Sequence, residues 1–226
     1  ASLAYYRMIK DGYLRGYEDT KLISVFMSQP YFLHLNTPYQ SLDDLKGKKI
    51  RVAGYLQAEI IRRLGGTPIG GTPVTQIRES ISKGLIDGTL LGWDSMHIFG
   101  VKHVTHYHIE IPVTYTPILL LMNLASYESL DSKHRTLIDQ SSGEEMVNHF
   151  STATTALALK TYEETLDQDG QHFITPDKDE LSRWHKALSP IEQSWINQNP
   201  SGRWRIKGLN EILTAVRREL NTDNKS

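Results

Sequence analysis

Arg51 is the side chain in this sequence best equipped to hold a small anion. It lies in Lys48-Lys49-Ile50-Arg51-Val52, a run that reads as a strand, between two residues that favour burial. Gly54 follows and opens a helix over Tyr55–Leu64. An arginine at the C-terminal end of a strand, just ahead of a helix N-terminus, points into the crevice where open α/β sheets bind ligands. Its planar fork of donors fits a carboxylate bidentately. A strand-end salt bridge is the other use of such a residue, and the stretch alone leaves both open. Tyr31, Tyr55, Trp93 and Tyr115 each fall near an expected strand end or strand-to-helix turn. Singly such aromatics serve core packing; together with Arg51 they would wall a pocket for a carboxylate with an apolar tail.

The other candidate chemistries are weaker. His103, His106 and His108, with Glu110 nearby, form the most metal-like cluster. His106 and His108 would share one face of a strand, but the spacing matches no zinc pattern, and surface or interface histidines fit better. Gly65-Gly66 and Gly70-Gly71 lack the spacing that brings backbone amides onto phosphate. Asp87 and Asp94 are separated by a strand end and form no acid/base pair, and no GxSxG elbow occurs. No cofactor and no metal are implied.

The 226 residues allow one large domain or two small ones. A net charge of −1 offers no electrostatic case for nucleic acid or an anionic membrane. The absence of cysteine excludes thiol catalysis, disulfides and thiolate metal sites. No apolar run approaches the roughly 20 residues of a spanning helix, and no signal peptide is evident. The sequence starts inside an apparent helix, Leu3–Tyr17, which suggests a mature or truncated form of a longer protein.

The elements that must position Arg51 follow from periodicity. Lys21–Met27 reads as a buried strand and Pro30–Leu35 as a second extended piece. Ser41 caps a short turn, with Asp43 and Asp44 favourable to its dipole and Gly47 ending it. Lys48–Leu91 then alternates strand, helix, strand, helix, strand: the Arg51 strand, Tyr55–Leu64, a strand at Ile69, Pro73–Lys83 capped by Gly84, and Leu85–Leu91. A βαβαβ pattern implies parallel strands. A turn or helix over Trp93–Phe99 and an alternating stretch His103–Glu110 lead to an apolar strand, Thr116–Asn123. About 35 residues from Ser132 to Asp167 read as one long helix, a strut between lobes. A strand at His172–Ile174, a helix capped by Asp177 and continued over Ser189–Asn197, a helix over Leu209–Leu220 and a frayed end at Asn221–Ser226 complete the chain.

Asp44–Gly54 (DLKGKKIRVAG), Gly84–Met96 (GLIDGTLLGWDSM) and Ile118–Met146 resemble the DctP-type solute-binding proteins of tripartite ATP-independent periplasmic (TRAP) transporters. The tail with Trp184, Trp195 and Gly208 is similar too. The resemblance implies an α/β fold of the periplasmic-binding-protein, type II-like kind. Two lobes with a parallel-rich mixed sheet would flank a cleft, joined by a long connecting helix. It also implies a periplasmic, non-enzymatic protein that captures an organic acid and delivers it to TRAP membrane permease subunits, with the strand-end arginine, here Arg51, on the carboxylate. Three departures qualify this. The family's N-terminal segment, most of lobe one, has no counterpart before Ala1, so the lobe is expected to be incomplete or its wall supplied by a neighbouring chain in a homo-oligomer. Thr89-Leu90-Leu91-Gly92-Trp93 stands where many sialate- and dicarboxylate-type members carry Gln-Glu-Asn-Pro, favouring an aromatic or branched acid. Tyr31 stands near a position where some members carry a second arginine, favouring a monocarboxylate.

The expected organisation is a remnant of the first lobe and crossover over residues 1–35, a ligand-binding α/β lobe over 36–115, a return strand and connecting helix over 116–170, and C-terminal helices over 171–226. The expected ligand residues are Arg51, Gly54, Tyr31, Tyr55, Trp93 and Tyr115, with Arg51 on the carboxylate and Trp93 and Tyr115 on the ligand body. Two other readings stay open. One is a small hydrolase or isomerase using Arg51 as a clamp, with His34 or the histidine cluster as base. The other is a truncated lobe that only self-associates.

Overall fold

The structure is a computed structural model that describes residues 1–14, 16–191 and 194. Along the chain run α1 (Ser2–Lys10), β1 (Thr20–Met27), β2 (Tyr31–Leu35), β3 (Lys49–Arg51), α2 (Tyr55–Arg63), β4 (Thr67–Ile69), α3 (Ile77–Ser82) and β5 (Gly88–Leu91). There follow α4 (Trp93–Ile98), β6 (Tyr107–Thr114), β7 (Pro117–Asn123), α5 (Leu124–Glu128), α6 (Ser132–Gln140), α7 (Glu144–Leu166), β8 (His172–Ile174) and α8 (Lys178–Leu188). Most of the segment Ser189–Asn197, the helix expected over Leu209–Leu220, and Trp195 and Gly208 lie outside the described residues. Among the described residues no helix is long and apolar enough to cross a membrane. They form two compact units, one from Ala1–Ser28 and Thr116–Thr154, the other from Gln29–Tyr115 and Thr155–Ser194.

In the first unit β1 and β7 pair antiparallel, from Thr20 opposite Asn123 to Met27 opposite Pro117. Tyr6, Val25 and Val147 form its buried centre, and Phe26 stacks on Phe150 at 5.3 Å. The N-terminal helix is shorter than expected. It ends at Lys10 because Gly12 takes a left-handed conformation (φ 73°) and the Tyr13 N–H bonds back to the Met8 carbonyl, closing the last turn. The long helix expected over Ser132–Asp167 is two helices. Gly143, at φ 93°, breaks the run, and its N–H bonds to the Ile23 carbonyl of β1 rather than back into the preceding helix.

The second unit is a six-stranded mixed sheet in the order β4-β3-β5-β2-β6-β8. β3 is parallel to both β4 and β5, as the βαβαβ pattern required; β2 is antiparallel to β5 and β6, and β8 is parallel to β6. Strand alternation sorts the side chains into two cores. Leu33, Leu35, Ile50, Leu90 and Ile109 pack with Ile60 and Ile61 of α2 and Trp184 of α8. Leu91, Trp93, Met96, Ile77 and Ile81 pack with Ala158 of α7.

The Asp87-Gly88 pair has a structural reason. The Asp87 carboxylate accepts the Lys49 N–H at 2.7 Å and its own N–H reaches the Lys49 carbonyl, which docks the start of β5 on β3. Gly88 leaves room for β2: a Cβ there would stand 2.3 Å from the His34 carbonyl oxygen. At the other core, one oxygen of Glu180 accepts the Leu42 N–H (2.6 Å), the Tyr39 hydroxyl (3.0 Å) and the Trp184 indole N–H (3.3 Å), tying α8 to the turn before β3.

Candidate functional site

Arg51 ends β3, and the pairing register sets it in a row that crosses one face of the sheet. Ile69 and Thr89 flank it, His34 follows Thr89, then His108 and Phe173. Arg51 as a whole residue is 7% exposed. Its Nε donates to the Thr72 carbonyl at 3.0 Å, beyond the Gly70-Gly71 turn. Among the described residues no carboxylate pairs with it. Burial draws its pKa below the ordinary guanidinium value, opposed by the Tyr31 hydroxyl. The sequence left a strand-end salt bridge open as the other use of this residue; none forms among the described residues.

Gly54 is the N-cap of α2, with extended backbone and no atom within 4 Å of where a Cβ would stand. The Gln57 side chain accepts the Ala53 N–H at 2.8 Å and steadies this turn. Tyr55 opens α2 and is 73% exposed; Tyr115, which follows β6, is 55% exposed; Tyr31 is buried. Trp93 stands elsewhere. Its indole is buried against His34 and His108, both with ring centroids at 4.9 Å, and stacks on Phe173 at 5.6 Å.

His34 and His108 form a pair that the sequence did not suggest. Their Nδ1 atoms are 2.8 Å apart and both rings are buried. His34 Nε2 faces the Leu91 carbonyl at 3.2 Å, so it must donate, and its Nδ1 accepts. His108 then donates from Nδ1, and its Nε2 accepts from the Gln171 amide 2.8 Å away, which calls for the amide nitrogen where Oε1 is assigned. Burial, and His108 beside it, hold His34 well below the usual histidine range. Burial holds His108 down to about 4, with His106 and His172 adding to the depression. Of the cluster expected at the surface or at an interface, His103 and His106 are exposed, while His108 belongs to the core. Among the described residues no group of three His, Asp or Glu could hold a metal ion. Both nitrogens of His34 are committed, which leaves it no free site for proton abstraction. The alternation Phe32-Leu33-His34-Leu35 was the signal that His34 points into the sheet with Phe32.

A cavity of about 370 Å³ opens beside this aromatic group, within the second unit. Phe32, Trp93, Tyr162 and Leu159 supply its apolar lining, and Glu110 and Gln29 are among its polar groups. The Tyr162 hydroxyl donates to Glu110 at 2.7 Å, and Gln29 Nε2 donates to the Thr155 hydroxyl at 2.9 Å. Arg51 does not line it.

Comparison with known proteins gives a consistent picture. The family profile described as bacterial extracellular solute-binding protein, family 7 (DctP) matches residues 19–199. A TRAP solute-binding protein from an unidentified marine microbe, specific for aromatic acid ligands and solved with metahydroxyphenylacetate, is 25% identical. It superposes with a TM-score of 0.81 over 98% of this chain and 70% of that one. The TRAP protein of Rhodoferax ferrireducens, solved with copurified benzoate, shares the fold with a TM-score of 0.82 at 23% identity, over 99% of this chain and 70% of that one. A curated solute-binding protein of Chromohalobacter salexigens is 25% identical over 171 residues, 72% of this chain. The match spans 47% of that relative, about half its length.

Proposed function

We propose, from the premise that the chain belongs to the bacterial extracellular solute-binding proteins of family 7, that it is the periplasmic receptor of a TRAP transporter for an organic acid. The ligand is a monocarboxylate with an aromatic or branched body, held by Arg51 and handed to the membrane permease subunits.

One observation carries this reading: a buried guanidinium at the end of a parallel strand, with Nε anchored on Thr72 and no carboxylate partner among the described residues. A cation taken out of water is costly unless an anion joins it. The Thr72 bond fixes the plane of the fork, and the remaining nitrogens are suited to a bidentate carboxylate. Gly54 leaves the helix entrance bare of side chain. Tyr31, buried beside the charge, and the exposed rings of Tyr55 and Tyr115 are the aromatic groups proposed to meet the acid. Trp93 is not placed in this clamp, because its ring is taken up by the histidine pair and Phe173. A relative that is 25% identical was solved with metahydroxyphenylacetate, which supports an aromatic acid as the ligand.

The experiment is calorimetric titration with a panel of aromatic, branched hydroxy and sugar acids, followed by Arg51→Ala with the tightest of them. Affinity held within about twofold in the variant would remove Arg51 from the site. Recovery of the acid unchanged after incubation separates a receptor from a hydrolase or isomerase.

A further inference from the structure

We propose that the cavity walled by Phe32, Trp93 and Tyr162 is a second ligand site, separate from Arg51, for an uncharged ring compound with one hydrogen-bond donor, of the aryl alcohol, phenol or indole class. Its size suits such a guest. A dry apolar cavity of about 150 Å³ takes up benzene, and about 370 Å³ leaves room for a substituted or fused ring. Its walls suit one too, since aromatic side chains set at different tilts offer both faces and edges to an entering ring. Trp93 and Tyr162, both in the lining, meet at 81°.

Charge decides what the ring can carry. Among the lining residues Glu110 is the only group with a formal charge, and no lysine or arginine is present. One Glu110 oxygen accepts from Tyr162 and the other from the Thr175 hydroxyl. Each carboxylate oxygen can accept a further bond. Gln29 spends its amide nitrogen on Thr155 and keeps its carbonyl as an acceptor. The lining therefore offers acceptors to a hydroxyl or an indole N–H. A carboxylate would face Glu110 with no cation to screen it. The cavity borders β2 and β6, and β3 lies two strand spacings from β2, so the Arg51 backbone is about 10 Å from the nearer of these strands, and Arg51 is not among the lining residues. A one-ring acid seated on Arg51 does not fill it.

The test is titration of the chain with benzyl alcohol, indole and benzoate, followed by calorimetry and by the Trp93 indole N–H resonance, which is assigned by its loss in Trp93→Phe. We expect benzyl alcohol and indole to move that resonance saturably, at least about tenfold more tightly than benzoate does. Indole should still move it with the tightest organic acid present in excess. Leu159→Tyr, at an exposed position on α7, should narrow the mouth and weaken both probes by about tenfold or more with the melting temperature kept. If that variant does not fold, Thr155→Phe serves the same purpose. Absence of saturation below about 10 mM overturns the proposal. So does competitive displacement of indole by the acid, which would make cavity and arginine one site. An acid that ignores Arg51→Ala would instead remove the arginine receptor reading and leave this one standing.

Discussion

His34 and His108 face each other across β2 and β6 with their Nδ1 atoms 2.8 Å apart, sealed from water by Trp93 and Phe173. The pair joins the end of β5, through the Leu91 carbonyl, to Gln171 just before β8. It is a neutral polar link across four strands of the sheet, and its neutrality makes the fold sensitive to acid.

Folded His34 and His108 both titrate below the ordinary histidine value of 6.5, His108 near 4. Once the pH falls below about 6.5, the unfolded chain takes up protons that the folded chain refuses. Stability is therefore whole above that value and declines down to about pH 4, where folded His108 also protonates. The loss from His108 alone is on the order of 3 kcal/mol. Urea unfolding at about pH 7, 5.5 and 4.5 should show midpoints falling at each step. A flat profile would mean that the rings titrate normally. Glu144 and Asp139, whose partners Arg7 and Lys21 pull their pKa values down, add their own loss only at lower pH.

Arg51→Lys keeps the charge but loses both the Nε bond to Thr72 and the planar fork. Affinity for the tightest acid should fall by about tenfold to a hundredfold, the worth of one charge-assisted bond. Calorimetry reads this directly; a lysine variant equal to the native protein would mean that only net charge matters.

Gly88→Ala should destabilise the second unit by about 1–3 kcal/mol. The added methyl would meet the His34 carbonyl oxygen at 2.3 Å and a Leu35 methyl at 2.6 Å. The carbonyl is strand backbone, which cannot swing aside, so β5 and β2 must part. A lowered urea midpoint at constant slope is the expected reading.

Glu180→Ala should cost about 1–3 kcal/mol, because the Leu42 N–H, the Tyr39 hydroxyl and the Trp184 indole lose a shared acceptor in a buried place. Glu180→Gln keeps a carbonyl oxygen for them and should recover part of the loss. Equal melting temperatures for native and alanine proteins would show that water replaces the carboxylate.

The parallel strands around Arg51 were legible in the sequence because their signals are local. Period-two burial, a capped turn at Ser41 and glycine stops at Gly65 and Gly84 act within a few residues of one another. The position of Arg51 at a strand end followed from the same signals. Tertiary structure decided the rest. The apparent run Ser132–Asp167 became two helices because the N–H of Gly143 found a carbonyl on β1, more than a hundred residues earlier in the chain. Whether Arg51 would be spent on a neighbouring acid depended on which side chains the fold brought near it, and none of the described acids arrived. His34 and His108 lie 74 residues apart, and only the β2–β6 register sets their rings in contact. Trp93, which its place after a strand marked as a ligand wall, packs against that pair and lines the cavity beside it, contacts that no local stretch of sequence specifies. Local propensity marks most element starts and stops around Arg51; the partners of a buried polar or aromatic group are chosen by strand order and register, which no short stretch of sequence contains.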